Sequence, residues 1–235
     1  MDKKIKISAS IICADWMNLK NDIVQLEEGN IDYLHYDVMD GFFCPDYCLG
    51  THIINAVRQN TTLPSDFHIM VEEPSRMFNT FEPSGTKEDI FTIHYEACRN
   101  LHRDLVKIKQ LGFRAGVALN PATPITSIEY IIEEVDVIKI MTVNPGYTGQ
   151  KLVPQTLQKI KLLNKLREKE KMNFEISIDG NVNEQNIPKM IEAGSDILIA
   201  GSSGLFKKDV PLAKSIQDFR RYIQGGLHSE CKVGN

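Results

Sequence analysis

Residues 32–41, DYLHYDVMDG, combine an apolar run with two polar side chains, His35 and Asp37, that lie two positions apart. In a β-strand, residues i and i+2 point to the same face. The stretch therefore predicts a strand whose imidazole and carboxylate lie side by side against an interior. It also raises the question of why two such groups are placed there.

Seven other apolar or β-branched runs resemble this one, and segments with helical periodicity alternate with them. Repeated βα units imply a parallel sheet, because parallel strands need crossover connections. Eight units predict an α/β protein with a single (β/α)8 TIM barrel over residues 1–224 and a polar, flexible tail over 225–235. A doubly wound open sheet is the alternative, but no GxGxxG motif follows the first strand. The predicted strands are IKISASII, DYLHYDV, DFHIMV, IFTIHY, RAGVALN, VDVIKIMTV, FEISID and DILIAG.

The composition is that of a globular protein, with 42% apolar and 25% charged residues and a net charge of -4. It offers no basic patch for nucleic acid, no signal-peptide core and no apolar run of the ~20 residues that a membrane span needs. The five scattered cysteines indicate reduced thiols and a cytoplasmic protein. Cys44 and Cys48 have no second Cys/His pair at zinc-finger spacing, which disfavours a structural zinc site.

Polar side chains recur where predicted strands end. His35 and Asp37 end the second strand, His68 lies on the third, and Asp179 ends the seventh. The carboxyl ends of barrel strands meet at one mouth, so these four side chains are expected to converge. Imidazole and carboxylate ligands suit one divalent ion, such as Zn, Fe, Mn, Co or Mg. A single histidine would more often be a hydrogen-bonded core residue, but four ligand-type residues together favour a metal site.

Two glycine-containing loops, NPGYTG after the sixth strand and GSSG after the eighth, suggest a phosphate site. Glycine lets backbone N–H groups approach an anion closely, and barrels often bind phosphate near their last strands. Each loop alone is weak evidence, since a glycine after a strand is usually a turn. Together they predict a phosphorylated substrate.

With these motifs the chain resembles the ribulose-phosphate 3-epimerase family, from ISASIICADW to AGSSGLF. The markers are HYDVMDG, HIMV, ALNPATP, MTVNPGYTGQ, IDGN and GSSGLF, in the family's order. The resemblance implies a (β/α)8 barrel of the ribulose-phosphate-binding type that inverts carbon 3 of a ketose phosphate through an enediolate. It implies His35, Asp37, His68 and Asp179 as ligands of one divalent metal, with Asp37 and Asp179 as the acid/base pair.

The resemblance also implies the residues around the substrate. Ser10 and His68 would contact the sugar, and the two glycine loops would hold the phosphate. Three methionines, Met39, Met70 and Met141, would line the mouth, although ordinary core packing explains them equally well. The implied substrate-binding set is Ser10, His68, Gly146, Tyr147, Thr148, Gly149, Asp179, Gly180, Asn181, Gly201, Ser202 and Ser203.

Several departures from the family pattern bear on the sugar. Asn181 follows the seventh-strand DG where many members have a second glycine, and Gly204 ends GSSG. With PGYTGQ and LREKEKMNFEISIDG, these features look closer to the allulose-6-phosphate 3-epimerase branch. They favour D-allulose 6-phosphate and D-fructose 6-phosphate; the alternative is D-ribulose 5-phosphate and D-xylulose 5-phosphate, of the pentose phosphate pathway. Asp46 stands where the family usually has Asn, which affects the expected local substrate contacts.

Two other classes compete with an epimerase. A barrel sugar-phosphate decarboxylase would carry an Asp-x-Lys-x-x-Asp pattern, but DVMDG has Met39 and no lysine. A non-catalytic sugar-phosphate sensor would need no acid/base pair. The expected partners are the phosphorylated ketose and further copies of the chain, as a dimer or a hexamer, because members of the family assemble in this way.

Overall fold

The computed structural model describes the backbone of residues 4–230 and the side chains of residues 4–227. Eight parallel strands close into a barrel, because β1 pairs with both β9 and β2. A two-residue strand, β3, pairs antiparallel with the end of β2. The predicted (β/α)8 barrel is therefore confirmed. The strands are β1 Lys6–Ser10, β2 Tyr33–Asp40, β3 Tyr47–Cys48, β4 Ser65–Met70, β5 Ile90–His94, β6 Arg114–Leu119, β7 Val137–Met141, β8 Glu175–Asp179 and β9 Ile197–Ala200.

Six of the eight expected helical segments are α-helices within residues 4–230. The other two, after β4 and β6, contain short 3₁₀ turns at Pro74–Met77, Ile125–Ile128 and Ile132–Glu134. Proline removes a backbone donor at Pro74, and the four isoleucines and one threonine of the stretch 125–134 lower its helix propensity. The helices are α1 Leu19–Glu28, α2 Thr51–Arg58, α3 Leu101–Gln110, α4 Gln155–Glu170, α5 Ile187–Ala193 and α6 Leu212–Glu230. None of these helices is long and apolar enough to cross a membrane.

Inward-facing residues fill the barrel in layers. At the amino-terminal end an apolar layer closes the barrel with Tyr33, Ile90, Val137 and Ile197, which come from alternate strands. Above it the interior is polar, and Ser8 and Lys139 both donate to the Asp66 carboxylate. The carboxyl-terminal end holds the predicted ligands. The strand register fixes these heights, since His35 pairs with Asp66 and Asp37 with His68.

Outward-facing residues of the same strands pack under the helices. Phe67 of β4 stacks on Tyr36 and Phe81 and contacts Phe91 and Phe113 edge-on or tilted. This period-2 alternation separates an apolar outer core from a polar barrel interior. The polar residues of the interior are therefore placed by the same pattern that builds the core.

The last helix continues past the predicted domain boundary at residue 224. α6 extends to Glu230 and so covers the first six residues of the expected tail, while residues 231–235 lie outside the described residues. Ile223 is buried and Leu227 packs against the core, which keeps this part of the chain helical despite Gly225 and Gly226. Gly226 also lies close to α5, because a methyl group added there would be 2.9 Å from Ile191 Cδ1.

The two neighbouring glycines should respond oppositely to alanine. An added methyl group at Gly225 would meet no described atom within 4 Å, so G225A should stabilise the fold by about 0.5–1 kcal/mol through helix propensity. The methyl group of G226A would press on Ile191 and on Pro188 Cα, at 3.2 Å, and overpacking should cancel or reverse that gain. Urea denaturation of both variants measures the difference; an equal gain in both would contradict the close packing of α6 on α5.

Candidate active site

The four predicted metal ligands converge at the carboxyl-terminal mouth of the barrel. His35 and Asp37 come from β2, His68 from β4 and Asp179 from β8. One ligand atom of each lies within 4.8 Å of the ligand atoms of the other three. Both histidines are fully buried, Asp37 is 7% exposed and Asp179 is half-buried. The strands thus bring together residues that are up to 144 positions apart in the sequence (179 minus 35).

The spacing of these atoms suits a single small cation. His68 Nδ1 lies 3.1 Å from Asp37 Oδ1 and 3.2 Å from Asp179 Oδ2. His35 Nε2 lies 3.1 Å from Asp37 Oδ1 and 3.7 Å from Asp179 Oδ2. Ligands placed about 2.1 Å from one ion lie roughly 3.0–3.5 Å apart in tetrahedral or octahedral arrangements. Two imidazoles and two carboxylates at this spacing therefore fit a divalent metal.

The electrostatics of the cluster favour positive charge at its centre. Burial and the Lys139 ammonium lower the pKa of His35, but the Asp37 and Asp66 carboxylates outweigh them and raise it to about 9. Burial opposes ionisation of Asp37, yet His35 and His68 hold its pKa well below its usual range. Positive charge beside the buried Asp37 carboxylate therefore stabilises its ionised form.

A second carboxylate, Asp66 on β4, orients His35. His35 Nδ1 lies 2.7 Å from Asp66 Oδ2, and that oxygen also accepts the Ser8 hydroxyl at 2.9 Å. Burial works against ionisation of Asp66, but Lys139 and His35 lower the pKa of this carboxyl far below its ordinary value. An ionised carboxylate can only accept, so Nδ1 of His35 carries the proton and Nε2 faces the ligand cluster.

A longer chain of contacts orients His68. His94 Nδ1 lies 3.3 Å from Glu96 Oε2, and His94 Nε2 lies 2.8 Å from His68 Nε2. Burial lowers the pKa of His94 to about 4, so its ring is neutral near pH 7. Burial works against ionisation of Glu96, but hydrogen bonds from His94 and Thr123 bring its pKa to about 2. Nδ1 of His94 therefore donates to Glu96, its Nε2 accepts from His68, and His68 Nδ1 faces Asp37 and Asp179.

Sequence reasoning missed this supporting set, Asp66, Lys139, His94 and Glu96. Signals for three of them exist in the sequence. Asp66 shares a strand face with His68, His94 ends the strand IFTIHY, and Lys139 interrupts the apolar run VIKIM. Each signal is ambiguous by itself, since a polar residue in a strand can also face solvent.

A cavity of about 400 Å³ opens above the ligand cluster. It contains every predicted substrate-binding residue and all three predicted methionines. His35 lies beneath the cavity. Ser10 lies in the cavity wall, and its hydroxyl donates a 2.9 Å hydrogen bond to Asp37 Oδ2. The predicted residues that line it are Ser10, Asp37, Met39, His68, Met70, Met141, Gly146, Tyr147, Thr148, Gly149, Asp179, Gly180, Asn181, Gly201, Ser202 and Ser203.

Two glycines in the cavity wall are required by backbone geometry. Gly146 has φ +123°, and a Cβ there would lie 2.8 Å from Pro45 Cδ. Gly180 has φ +112°, and a Cβ there would lie 2.6 Å from Val143 Cγ2. A side chain at either position would clash and strain the backbone. These glycines therefore bring the loops after β7 and β8 close together around the cavity.

The described cysteines are free thiols, as the sequence predicted for four of the five: Cys13, Cys44, Cys48 and Cys98. Cys231 lies outside the described residues. Burial raises the pKa of Cys13, which lines the cavity, to about 11, so this thiol is a weak nucleophile at neutral pH.

Sequence and structure comparisons add independent findings. A model described as the ribulose-phosphate 3 epimerase family matches residues 6–206. A ribulose-phosphate 3-epimerase of Bacillus subtilis is 43% identical over 92% of this chain and 98% of that protein. One of Methanocaldococcus jannaschii is 39% identical over 89% of this chain and 88% of that protein. A solved 3-hexulose-6-phosphate synthase has a TM-score of 0.64 at 14% identity, covering 93% of this chain and 100% of that one, which shows a shared fold alone.

Metal binding should stabilise the protein through the four clustered ligands. After chelation and dialysis, Zn²⁺ or Co²⁺ at about 100 times its dissociation constant should add about 2.7 kcal/mol of stability. For a chain of this size, that corresponds to a melting temperature higher by roughly 5–10 °C. H35A should lose most of this shift, whereas H52A, which removes an exposed histidine of α2, should keep it. Equal shifts in the two variants, measured by calorimetry, would place the metal elsewhere.

Proposed function

The chain belongs to the ribulose-phosphate 3-epimerase family, an isomerase family acting on carbohydrate phosphates, and we propose that it interconverts D-ribulose 5-phosphate and D-xylulose 5-phosphate. The observation that carries this proposal is the pair of carboxylates above the polar barrel interior. Asp37 on β2 and Asp179 on β8 are separated by β1 and β9, so they approach the cavity from different sides. Inversion of a carbon centre needs one proton carrier on each face, and two residues of one strand could not provide this.

The expected preference for a six-carbon sugar finds no support in the comparisons, since the relatives reported above are described as ribulose-phosphate 3-epimerases. Two residues behind that expectation have packing roles. Asn181 donates to Gln150 O at 2.7 Å and accepts from Asn186 Nδ2 at 2.7 Å, which ties the loops together. A Cβ at Gly204 would lie 2.7 Å from the Phe219 ring. Neither residue needs a longer sugar to explain it.

We assign His35, Asp37, His68 and Asp179 as the residues that would hold one divalent ion. The contacts with Asp66 and with His94 turn His35 Nε2 and His68 Nδ1 towards the cluster, and a bound cation would take the place of the proton on His35 Nε2. When bound, the ion would stabilise negative charge that develops on substrate oxygens as carbon 3 loses its proton. Zn, Fe, Mn, Co and Mg all remain candidates, because this mixed ligand set accommodates several ions.

The chain's own carboxylates carry the proton transfer. Asp37 turns Oδ1 towards the two histidines and Asp179 turns Oδ2 towards them, which leaves Asp37 Oδ2 and Asp179 Oδ1 for the substrate. Removal of the carbon 3 proton gives a planar enediolate. One aspartate takes the proton from one face, and the other, protonated, delivers one to the opposite face. The Ser10 hydroxyl, which donates to Asp37 Oδ2, orients that carboxylate and can shift to the sugar.

The phosphate end of the substrate is assigned to the two glycine loops. Residues 146–149 and 201–203 line the same cavity as the ligand cluster, and their backbone N–H groups are the available anion donors. Met39, Met70 and Met141 form apolar walls beside the reacting carbons and reduce access of water to the enediolate. Assembly as a dimer or hexamer and a cytoplasmic location stay predictions.

The substrate is tested by proton NMR in D₂O with metal-loaded protein. Ribulose 5-phosphate and fructose 6-phosphate are supplied in parallel, and loss of the carbon 3 proton and appearance of the epimer are followed. We expect faster exchange and conversion of the pentulose phosphate. Faster conversion of the hexulose phosphate would restore the six-carbon assignment, and conversion of neither would remove the epimerase proposal for these sugars.

If Asp37 and Asp179 transfer protons on opposite faces of the substrate, the two aspartate variants should each keep proton exchange with a different epimer. D37N and D179N should each lower epimerisation by about 10²–10⁴-fold, because each removes one general acid/base. Each variant should still exchange the carbon 3 proton of one epimer with D₂O, and the two variants should favour different epimers. Near-normal turnover of D179N would refute its role.

Both aspartates are also assigned as metal ligands, so lower turnover could result from loss of the metal instead of loss of a proton-transfer group. The metal content of each variant is therefore measured together with its turnover. D46N is the matched control, because Asp46 lines the same cavity but lies outside the ligand cluster. It should retain far more activity than D37N or D179N.

A further inference from the structure

A lysine lies buried inside the barrel, beneath the ligand cluster. Lys139 of β7 is 0% exposed, and its Nζ donates to Asp66 Oδ1 at 3.2 Å. Asp66 itself is 1% exposed. Two strands, β5 and β6, separate β7 from β4 in the sheet, so this ion pair spans the barrel interior. Fully buried lysine is rare, and an apolar residue would fill a barrel core at lower cost.

The position of the pair connects it to the metal centre. Asp66 uses Oδ1 for Lys139 and Oδ2 for His35 Nδ1 and the Ser8 hydroxyl. Donors from three strands, β1, β2 and β7, therefore fix the plane of one carboxylate. Without Lys139, Oδ1 would lose its hydrogen bond, and the carboxylate could rotate about its side chain. His35 would then lose a fixed acceptor.

We propose that Lys139 is a positioning residue of the metal centre: it fixes the Asp66 carboxylate, which in turn fixes the tautomer and the ring orientation of His35. The proposal rests on the metal site assigned above. Partners that orient a ligating histidine from behind control metal affinity, and their loss typically weakens binding by about 10–100-fold. Lys139 acts one contact further out, through the carboxylate.

Ser177 provides a control position for Lys139, because it lies in the same part of the barrel interior. Ser177 of β8 pairs in register with Lys139 and is equally buried. Among the described residues, the hydroxyls of Ser177 and Thr92 have no hydrogen-bond partner. A change at Ser177 therefore alters the same part of the barrel interior without touching the contacts of Asp66.

The test is a titration of the metal-stripped full-length protein with Co²⁺, followed by the visible absorption of the ion and checked with a chromogenic chelator. K139M should raise the Co²⁺ dissociation constant by about 10–100-fold and change the absorption bands, because the His35 ring is no longer held. At saturating Co²⁺ the KM for ribulose 5-phosphate should stay at its wild-type value, because the phosphate and sugar contacts are intact. S177A should leave both constants unchanged.

A wild-type Co²⁺ dissociation constant in K139M would overturn the proposal. If K139M does not fold, the double variant K139M/D66N removes both charges and keeps a side-chain carbonyl that can accept from His35. We expect it to fold and to bind Co²⁺ more weakly than the wild type, since a neutral amide holds the imidazole less firmly; wild-type affinity in that variant would equally overturn the proposal. Failure of the wild type to bind Co²⁺ would instead remove the metal site of the proposed function.

Discussion

Two carboxylates and two imidazoles cannot share a buried volume unless positive charge lies between them, and this constraint organises the barrel mouth. Asp37 and Asp179 both approach His68 Nδ1 to within 3.2 Å. The ligand oxygens of the two aspartates lie within 4.8 Å of each other, and like charges this close repel strongly in a low-dielectric interior. The side chains behind the cluster, Asp66 and His94, therefore have one task. They hold the two imidazoles so that one ring nitrogen of each faces the aspartates.

Strand register meets that requirement without any long loop. Pairing of His35 with Asp66 places this imidazole beside its supporting carboxylate on one level of the barrel. Pairing of Asp37 with His68 places those two side chains on the next level towards the mouth. The supports then differ between the two histidines. His35 rests on a carboxylate held by a lysine, whereas His68 rests on a neutral imidazole held by Glu96. The first arrangement places formal charge directly behind His35, whereas the second places it two contacts away from His68.

The barrel and the ligands could be predicted from the sequence because both depend on local patterns. His35 and Asp37 share a strand face by alternation alone, and closure of eight parallel strands brings strand ends together whatever the loops do. Lys139 could not be assigned in this way, since its partner Asp66 lies on β4 and the two side chains meet across the barrel interior. A helical segment was expected after β6 as after the other strands, and the β-branched residues there form 3₁₀ turns at Ile125–Ile128 and Ile132–Glu134 instead. Within the expected tail, residues 225–230 continue α6, because Leu227 packs against a core that sequence periodicity near Gly225 does not reveal.

The length of the sugar is harder to predict than the chemistry, and the structure gives the reason. Proton transfer depends on a few atoms whose positions the strands fix, so its residues have a clear sequence pattern. Sugar length depends on the distance from the ligand cluster to the loops at 146–149 and 201–203, which no single residue sets. Packing also constrains residues near those loops. Asn181 forms hydrogen bonds with Gln150 and Asn186. Gly204 lies against the Phe219 ring, which leaves no room for a side chain. A sequence difference in such a loop can therefore be explained by the packing of the loop, and it is weak evidence for the length of the sugar that the loop binds.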